Sequence, residues 1–131
     1  MSSFPPRWQV QWGDAKTEAA SPEQVERVLD RLTVEAPARP LIVVVVSPSG
    51  KNISLGLGRE LTVVEFQASA DPPYYASVRD EAARGLTTFE YDGEETEIEQ
   101  RHLVPIDAAR RAVTEFVKSN ARPVGLRWEE V

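Results

Sequence analysis

Residues 41–66 read LIVVVVSPSGKNISLGLGRELTVVEF, and their pattern decides the fold. Leu41 to Val46 is a continuous apolar run between Pro40 and Pro48. Such a run fits a central strand covered on both faces. SPSGKN supplies a turn, and beyond it Ile53, Leu55 and Leu57 alternate with Ser54 and Gly56. LTVVEF follows after a short break. Three successive strands joined by short turns predict an antiparallel meander.

Upstream, RWQVQW alternates cleanly, with Trp8, Val10 and Trp12 on one face and Arg7, Gln9 and Gln11 on the other. That is a half-buried strand. SPEQVERVLDRL then opens a helix with Ser21 as N-cap, Pro22 at the first helical position and Gln24 completing a capping box. Val25, Val28, Leu29 and Leu32 form one apolar stripe on it, and Pro37 and Pro40 end it.

Downstream, YYASV reads as a fifth strand entered through Pro72 and Pro73. TTFEYDGEETEIE is a hairpin, because Asp92-Gly93 is a type I′ turn signal between two alternating segments. After Pro105 a second helix carries Ile106, Ala109, Val113, Phe116 and Val117 on one face. Asn120 is placed to cap it in the left-handed conformation, and Pro123 prevents continuation. VGLRW is the last strand, with Val124, Leu126 and Trp128 on its apolar side, so that the indole pins the segment. The expected fold is therefore a single α+β domain over residues 1–131, two helices packed on one face of a largely antiparallel sheet.

Composition narrows the function. Apolar residues make up 41% and charged residues 27% of 131, an ordinary globular balance rather than a disordered one. Asp and Glu number 21 against 15 Lys and Arg, a formal charge of −6 with no basic cluster. Nucleic-acid binding, which needs a basic patch, is argued against, and a basic protein partner is left open. Cysteine is absent, which excludes disulfides and thiolate metal sites and suits a reducing cytosol. MSSFPPRWQ has no apolar core for a signal peptide, and LIVVVV, at six residues, falls far short of the ~20 that span a bilayer. A cytoplasmic protein without membrane contact is expected.

No catalytic constellation or cofactor motif emerges. His102 is the only histidine, lies between Arg101 and Leu103 just before a helix, and reads as a surface or capping residue. EYDGEETE looks like an acidic calcium loop, but its spacing and hairpin setting fail the EF-hand pattern, so no metal site is expected. GLGREL has Leu61 where a dinucleotide fingerprint needs its third glycine. Gly56 and Gly58 share one face of a strand, which points to close packing against a neighbour.

The hairpin is the feature that stands out. Glu90, Asp92, Glu94, Glu95, Glu97 and Glu99 give it six acids and no base. A turn at Asp92-Gly93 pairs Tyr91 with Glu94, Glu90 with Glu95, Phe89 with Thr96 and Thr88 with Glu97. Phe89, Tyr91, Thr96 and Ile98 then face the core, and Glu90, Glu95, Glu97 and Glu99 face away. Two readings follow: a charged edge that guards against aggregation, or a docking surface for a basic partner. Tyr75 is the other candidate contact, placed beside Ser77 and Arg79 on the face opposite Tyr74, Ala76 and Val78, unless it packs under the Pro72-Pro73 loop.

DPPYYASV and, further on, HLVPIDAARRAVTEFVKSNARPVGLRWEEV resemble the Imm1 family of bacterial immunity proteins. The likeness lies in the proline-tyrosine strand entry, the proline before an amphipathic helix ending in an aromatic, the Arg-Pro after it, and the final strand with Trp-Glu. It covers roughly Asp71 to Val131. Where the family often shows a glycine after the second helix, Asn120-Ala121 stands here. The resemblance implies a non-enzymatic, cytoplasmic antidote that binds the toxin of a polymorphic toxin system, often a nucleic-acid deaminase. Such a toxin must attract a polyanion, so its active-site rim should be basic. This favours the docking reading of the hairpin, with Glu90, Asp92, Glu95, Glu97, Glu99 and Tyr75 as candidate contacts. The competing classes are a small-ligand binder or enzyme with His102 and Tyr75 lining a pocket, and a secretion chaperone or adaptor. The neighbouring gene, toxin or secretion operon, separates them.

Overall fold

The computed structural model describes residues 7–35, 40–91 and 93–131. The meander at the centre forms as its pattern requires. Strands β3 (Leu41–Val46) and β4 (Asn52–Leu57) pair antiparallel, with Val43 opposite Leu55 and Val45 opposite Ile53. LTVVEF is split into β5 (Leu61–Thr62) and β6 (Val64–Gln67), and β6 continues the sheet against β4. Further strands are β1 (Trp8–Trp12), β2 (Ala15–Ala19), β7 (Tyr74–Val78), the hairpin β8 (Leu86–Tyr91) and β9 (Glu94–Glu99), β10 (Val104–Pro105) and β11 (Arg127–Glu130). The main path runs β11-β7-β6-β4-β3-β1-β2. All its pairings are antiparallel, and among the described residues the one parallel contact is Leu41 of β3 with Glu90 of β8. Two helices, α1 (Pro22–Glu35) and α2 (Ile106–Ser119), cover one face. The α+β expectation holds.

Strand β2 was not expected. Four of the five residues of AKTEA favour helices over strands, Thr17 being the exception, and its pairing with β1 across the turn at Gly13 (φ +54°) makes it extended. Pairing overrides propensity here.

Both helices form for the reasons their sequences give. The Gln24 backbone N–H donates to Ser21 Oγ at 3.3 Å, while its side-chain oxygen accepts from the Ala20 N–H at 2.8 Å, one residue earlier than a standard capping box. Asn120 caps α2 in the left-handed conformation (φ 54°, ψ 37°), as its position predicts. Pro40 lies beyond α1, whereas Pro37 falls outside the described residues. Arg110 ties the helices together, donating to Glu26 at 3.0 Å and to Asp30 at 2.8 Å.

The main core lies between helices and sheet. Val25 and Leu29 of α1 and Val113 and Phe116 of α2 meet Trp8, Val10, Val43, Val45, Leu55 and Phe66. Phe116 is the hub: the rings of Trp8 and Phe66 stand edge-on to it at 5.7 Å and 5.8 Å. A smaller core sits on the opposite face, where Phe89 of β8 meets Ile42, Val63 and Leu103. The run 41–46 is thus covered on both faces only at its start, because Val44 and Val46 remain half-exposed where the hairpin does not reach.

Gly56 makes that second core possible. A Cβ there would stand 2.5 Å from both the Phe89 ring and Thr62 Oγ1, so only glycine lets the hairpin lie this close to the sheet. The close-packing expectation holds for Gly56, while Gly58 sits beyond the strand at φ +101°. Gly56→Ala is expected to cost ~1–3 kcal/mol, because Phe89 is fully buried and has nowhere to move. Chemical denaturation measures the loss.

The C-terminal expectations need correction. Pairing of the last strand begins only at Arg127, and Val124 is exposed rather than aligned with Leu126 and Trp128. The Val124 N–H is drawn to the Glu115 carboxylate, which bends the chain out of the sheet. Trp128 itself is half-buried against the main core, 6.5 Å from the Phe66 ring, with its indole N–H donating to the Pro123 carbonyl at 2.7 Å.

Candidate functional site

The hairpin adopts the register that its turn signal predicts. Tyr91 faces Glu94, Glu90 faces Glu95, Phe89 faces Thr96 and Thr88 faces Glu97. Gly93 takes φ +83°, a conformation open to glycine at little cost, and Asp92 lies outside the described residues. Glu95, Glu97 and Glu99 are exposed and Glu90 is half-buried. On the inner face Phe89 is buried, Thr96 and Ile98 are partly covered, and Tyr91 stays 47% exposed at the tip.

Several contacts hold this charged ribbon still. The Glu90 N–H donates to the Pro40 carbonyl at 2.9 Å, fixing β8 to the start of β3. Arg59 donates from Nε and Nη2 to the Thr88 carbonyl at 3.1 Å and 2.8 Å, and its guanidinium lies 5.4 Å from the Phe89 ring centre. The Gln100 N–H donates to the Gly85 carbonyl at 3.0 Å and closes the base. The carboxylates are therefore displayed on a fixed frame, which lowers the entropy lost on binding.

By reaching only part of the way across, the hairpin leaves a groove on the helix-free face of the sheet. Its volume is about 580 Å³. Tyr91 and Thr96 form one bank, Tyr74 the other, and Gln11, Asn52, Ser54, Glu65 and Gln67 line the floor. Pairing sets this floor: Gln11 lies opposite Val44, Val44 opposite Ser54, and Ser54 opposite Glu65. Among the described residues Glu65 is the one acidic or basic side chain lining the groove. Its half-buried carboxyl is pushed above the usual carboxylate range by desolvation, with nearby His102 opposing part of the rise.

Tyr75 is not on the face the alternation assigned to it. Pairing sets Tyr75 opposite Phe66 and Ser77 opposite Trp128, which turns both toward the helices, and leaves Tyr74, Ala76 and Val78 on the groove side. Tyr75 is half-buried against the main core under the Arg122 guanidinium, 4.4 Å from its ring centre, in a cleft shared with Pro73 and Trp128. The alternative that it packs by the Pro72-Pro73 loop describes its place better than free display does.

His102 also needs correction, since it is buried in a one-turn 3₁₀ helix (Gln100–His102). Its Nδ1 lies 3.0 Å from the Ser77 carbonyl and its Nε2 3.5 Å from Glu99, while Ser77 Oγ donates to the His102 carbonyl at 2.8 Å. Neither the Tyr75 cleft nor the sheet groove is lined by it. His102→Ala is expected to cost ~1–3 kcal/mol by orphaning the Ser77 carbonyl, yet to leave partner binding within twofold in a calorimetric titration. Among the described residues no group of three or more His, Cys, Asp or Glu side chains is placed to hold a metal ion.

Fold and site together define a small acidic α+β protein that displays a fixed, charged hairpin beside a concave sheet face. The family model described as immunity protein Imm1 matches residues 13–130, nearly the whole chain, and the chain belongs to that family. The match extends the likeness seen in the C-terminal half back through the meander and α1. No curated protein matches the chain. Among the described residues no helix is long and apolar enough to cross a membrane.

Proposed function

We propose that this protein neutralises the toxin of a bacterial polymorphic toxin system by binding it and covering its active-site region, in the cytoplasm of the cell that makes both. The toxin on this reading is a nucleic-acid deaminase whose substrate channel is rimmed by Lys and Arg. The observation that carries the reading is the exposed row Glu95, Glu97 and Glu99 on a ribbon pinned by Arg59, Pro40 and Gln100. A fixed acidic row mimics the spaced charges of a nucleic-acid backbone, and complementary charge speeds encounter. Inhibition is by occupancy, so the protein consumes no substrate and acts one molecule per toxin.

The test starts from the gene immediately upstream of this chain's own, which on this reading encodes the toxin domain. Purified protein should abolish its deamination of nucleic acid, with an endpoint at equimolar ratio. Inhibition at far below equimolar amounts would indicate an enzyme that modifies the toxin. Full toxin activity in the presence of excess protein would remove the immunity role. A toxin of other chemistry, still neutralised at one to one, would correct the deaminase assignment alone.

A further inference from the structure

The outer face of the hairpin accounts for attraction but offers nothing that could hold a partner for long, since exposed ion pairs are worth little. The groove beside it differs. Among the described residues no hydrogen bond or ion pair reaches the Glu65 carboxylate. His102 offsets part of its desolvation through space but makes no hydrogen bond or ion pair with it, its ring nitrogens lying against the Ser77 carbonyl and Glu99. Asn52 and Gln67 make no side-chain hydrogen bonds to the described residues either, and they stand opposite one another next to the Ser54–Glu65 pair. The floor therefore holds one carboxylate and two amides whose bonding capacity is unused. Among the described residues no Lys or Arg lines the groove to satisfy them.

A partly desolvated carboxylate that accepts no hydrogen bond or ion pair from the described residues costs folding stability, and such costs concentrate at functional sites. Here the missing partner has a definable chemistry. It must be cationic, long enough to reach the floor of a groove of about 580 Å³, and rich in donors for the adjacent amides. A guanidinium meets all three conditions: it bonds carboxylates bidentately, it is weakly hydrated, and it stacks on aromatic faces such as Tyr91 at the bank. We propose that the groove is a socket for an arginine-bearing loop of the toxin, whose guanidinium docks on Glu65 while its remaining N–H groups reach Asn52 and Gln67. The proposal rests on the reading of this protein as a toxin neutraliser and adds a second role to its surface. The outer carboxylates bring the toxin in, and Glu65 retains it.

The two roles separate kinetically. Losing one partner of a desolvated charge pair acts mainly on dissociation, whereas losing a rim charge acts mainly on association. Glu65→Gln keeps the side chain's shape and removes its charge, so the fold should persist. Against the upstream toxin domain it is expected to raise the dissociation rate ~30-fold or more, with association changed less than threefold. Gln67→Trp, which fills the groove and removes one of the amides while leaving the Glu65 charge in place, should weaken binding to a similar degree, with circular dichroism confirming an intact fold. If Glu65→Gln and Gln67→Trp both dissociate like the wild type while the wild type binds the toxin, the socket is overturned and the immunity reading stands. If the wild type does not bind the toxin, both fall. A wild-type dimer that Glu65→Gln splits, with the toxin dissociation rate unchanged, would assign the groove to a second copy of this chain and overturn the proposal.

Discussion

Replacing Phe116 with alanine is expected to destabilise the protein by ~3–5 kcal/mol. Phe116 is fully buried on α2 and is the residue through which the helix layer meets both halves of the sheet, Trp8 of β1 on one side and Phe66 of β6 on the other. Removing the ring leaves a cavity walled by two aromatics and several strands, none of which can collapse into it without breaking pairing. Domains of this size are stable by only about 5–15 kcal/mol. The melting temperature should accordingly fall by roughly 10–20 °C. A fall of under about 3 °C would mean that α2 does not pack as described.

The second large effect is on binding rather than folding. Reversing Glu95 and Glu97 to lysine turns the middle of the acidic row basic, and both side chains are solvent-exposed. Association with the toxin domain should slow by roughly 10–100-fold at low salt, within the range that electrostatic steering spans. The difference should shrink as salt rises, since the Debye length is already about 8 Å at physiological ionic strength. Stability should be unharmed, because Glu95→Lys replaces a like-charge pair with Glu90 by an attractive one. Unchanged kinetics in this double variant would leave the hairpin as a charged edge that only discourages aggregation.

These expectations draw unequally on the sequence. Periodicity sufficed where one face of an element is buried and the other wet, as for RWQVQW, both helices and the β8–β9 register. It failed where both faces of a strand are partly covered. In YYASV the alternation of Tyr74, Ala76 and Val78 looks like a core face, yet the main core takes Tyr75 on the opposite side, and only the pairing with Phe66 decides it. His102 looked exposed because it is a lone histidine next to Arg101 just before a helix, whereas its burial comes from Ser77, 25 residues away in sequence. The groove was legible only as a hint. Gly56 announced a close approach but not which segment approaches, because the hairpin arrives through the parallel contact of Glu90 with Leu41, a non-local pairing. Glu65 gave no signal in a strand that reads as ordinary alternation.

The central claim is that the toxin covers the hairpin and the helix-free face of the sheet. Carbodiimide labelling of carboxylates, read by mass spectrometry in the free protein and in its complex with the toxin domain, tests it directly. Glu95, Glu97 and Glu65 should lose reactivity in the complex, while exposed Glu23 and Glu35 of α1 and Asp107 of α2, on the opposite face, should keep theirs. Protection of Glu23, Glu35 and Asp107 with Glu95 and Glu97 still reactive would contradict the account and move the docking surface to the helices.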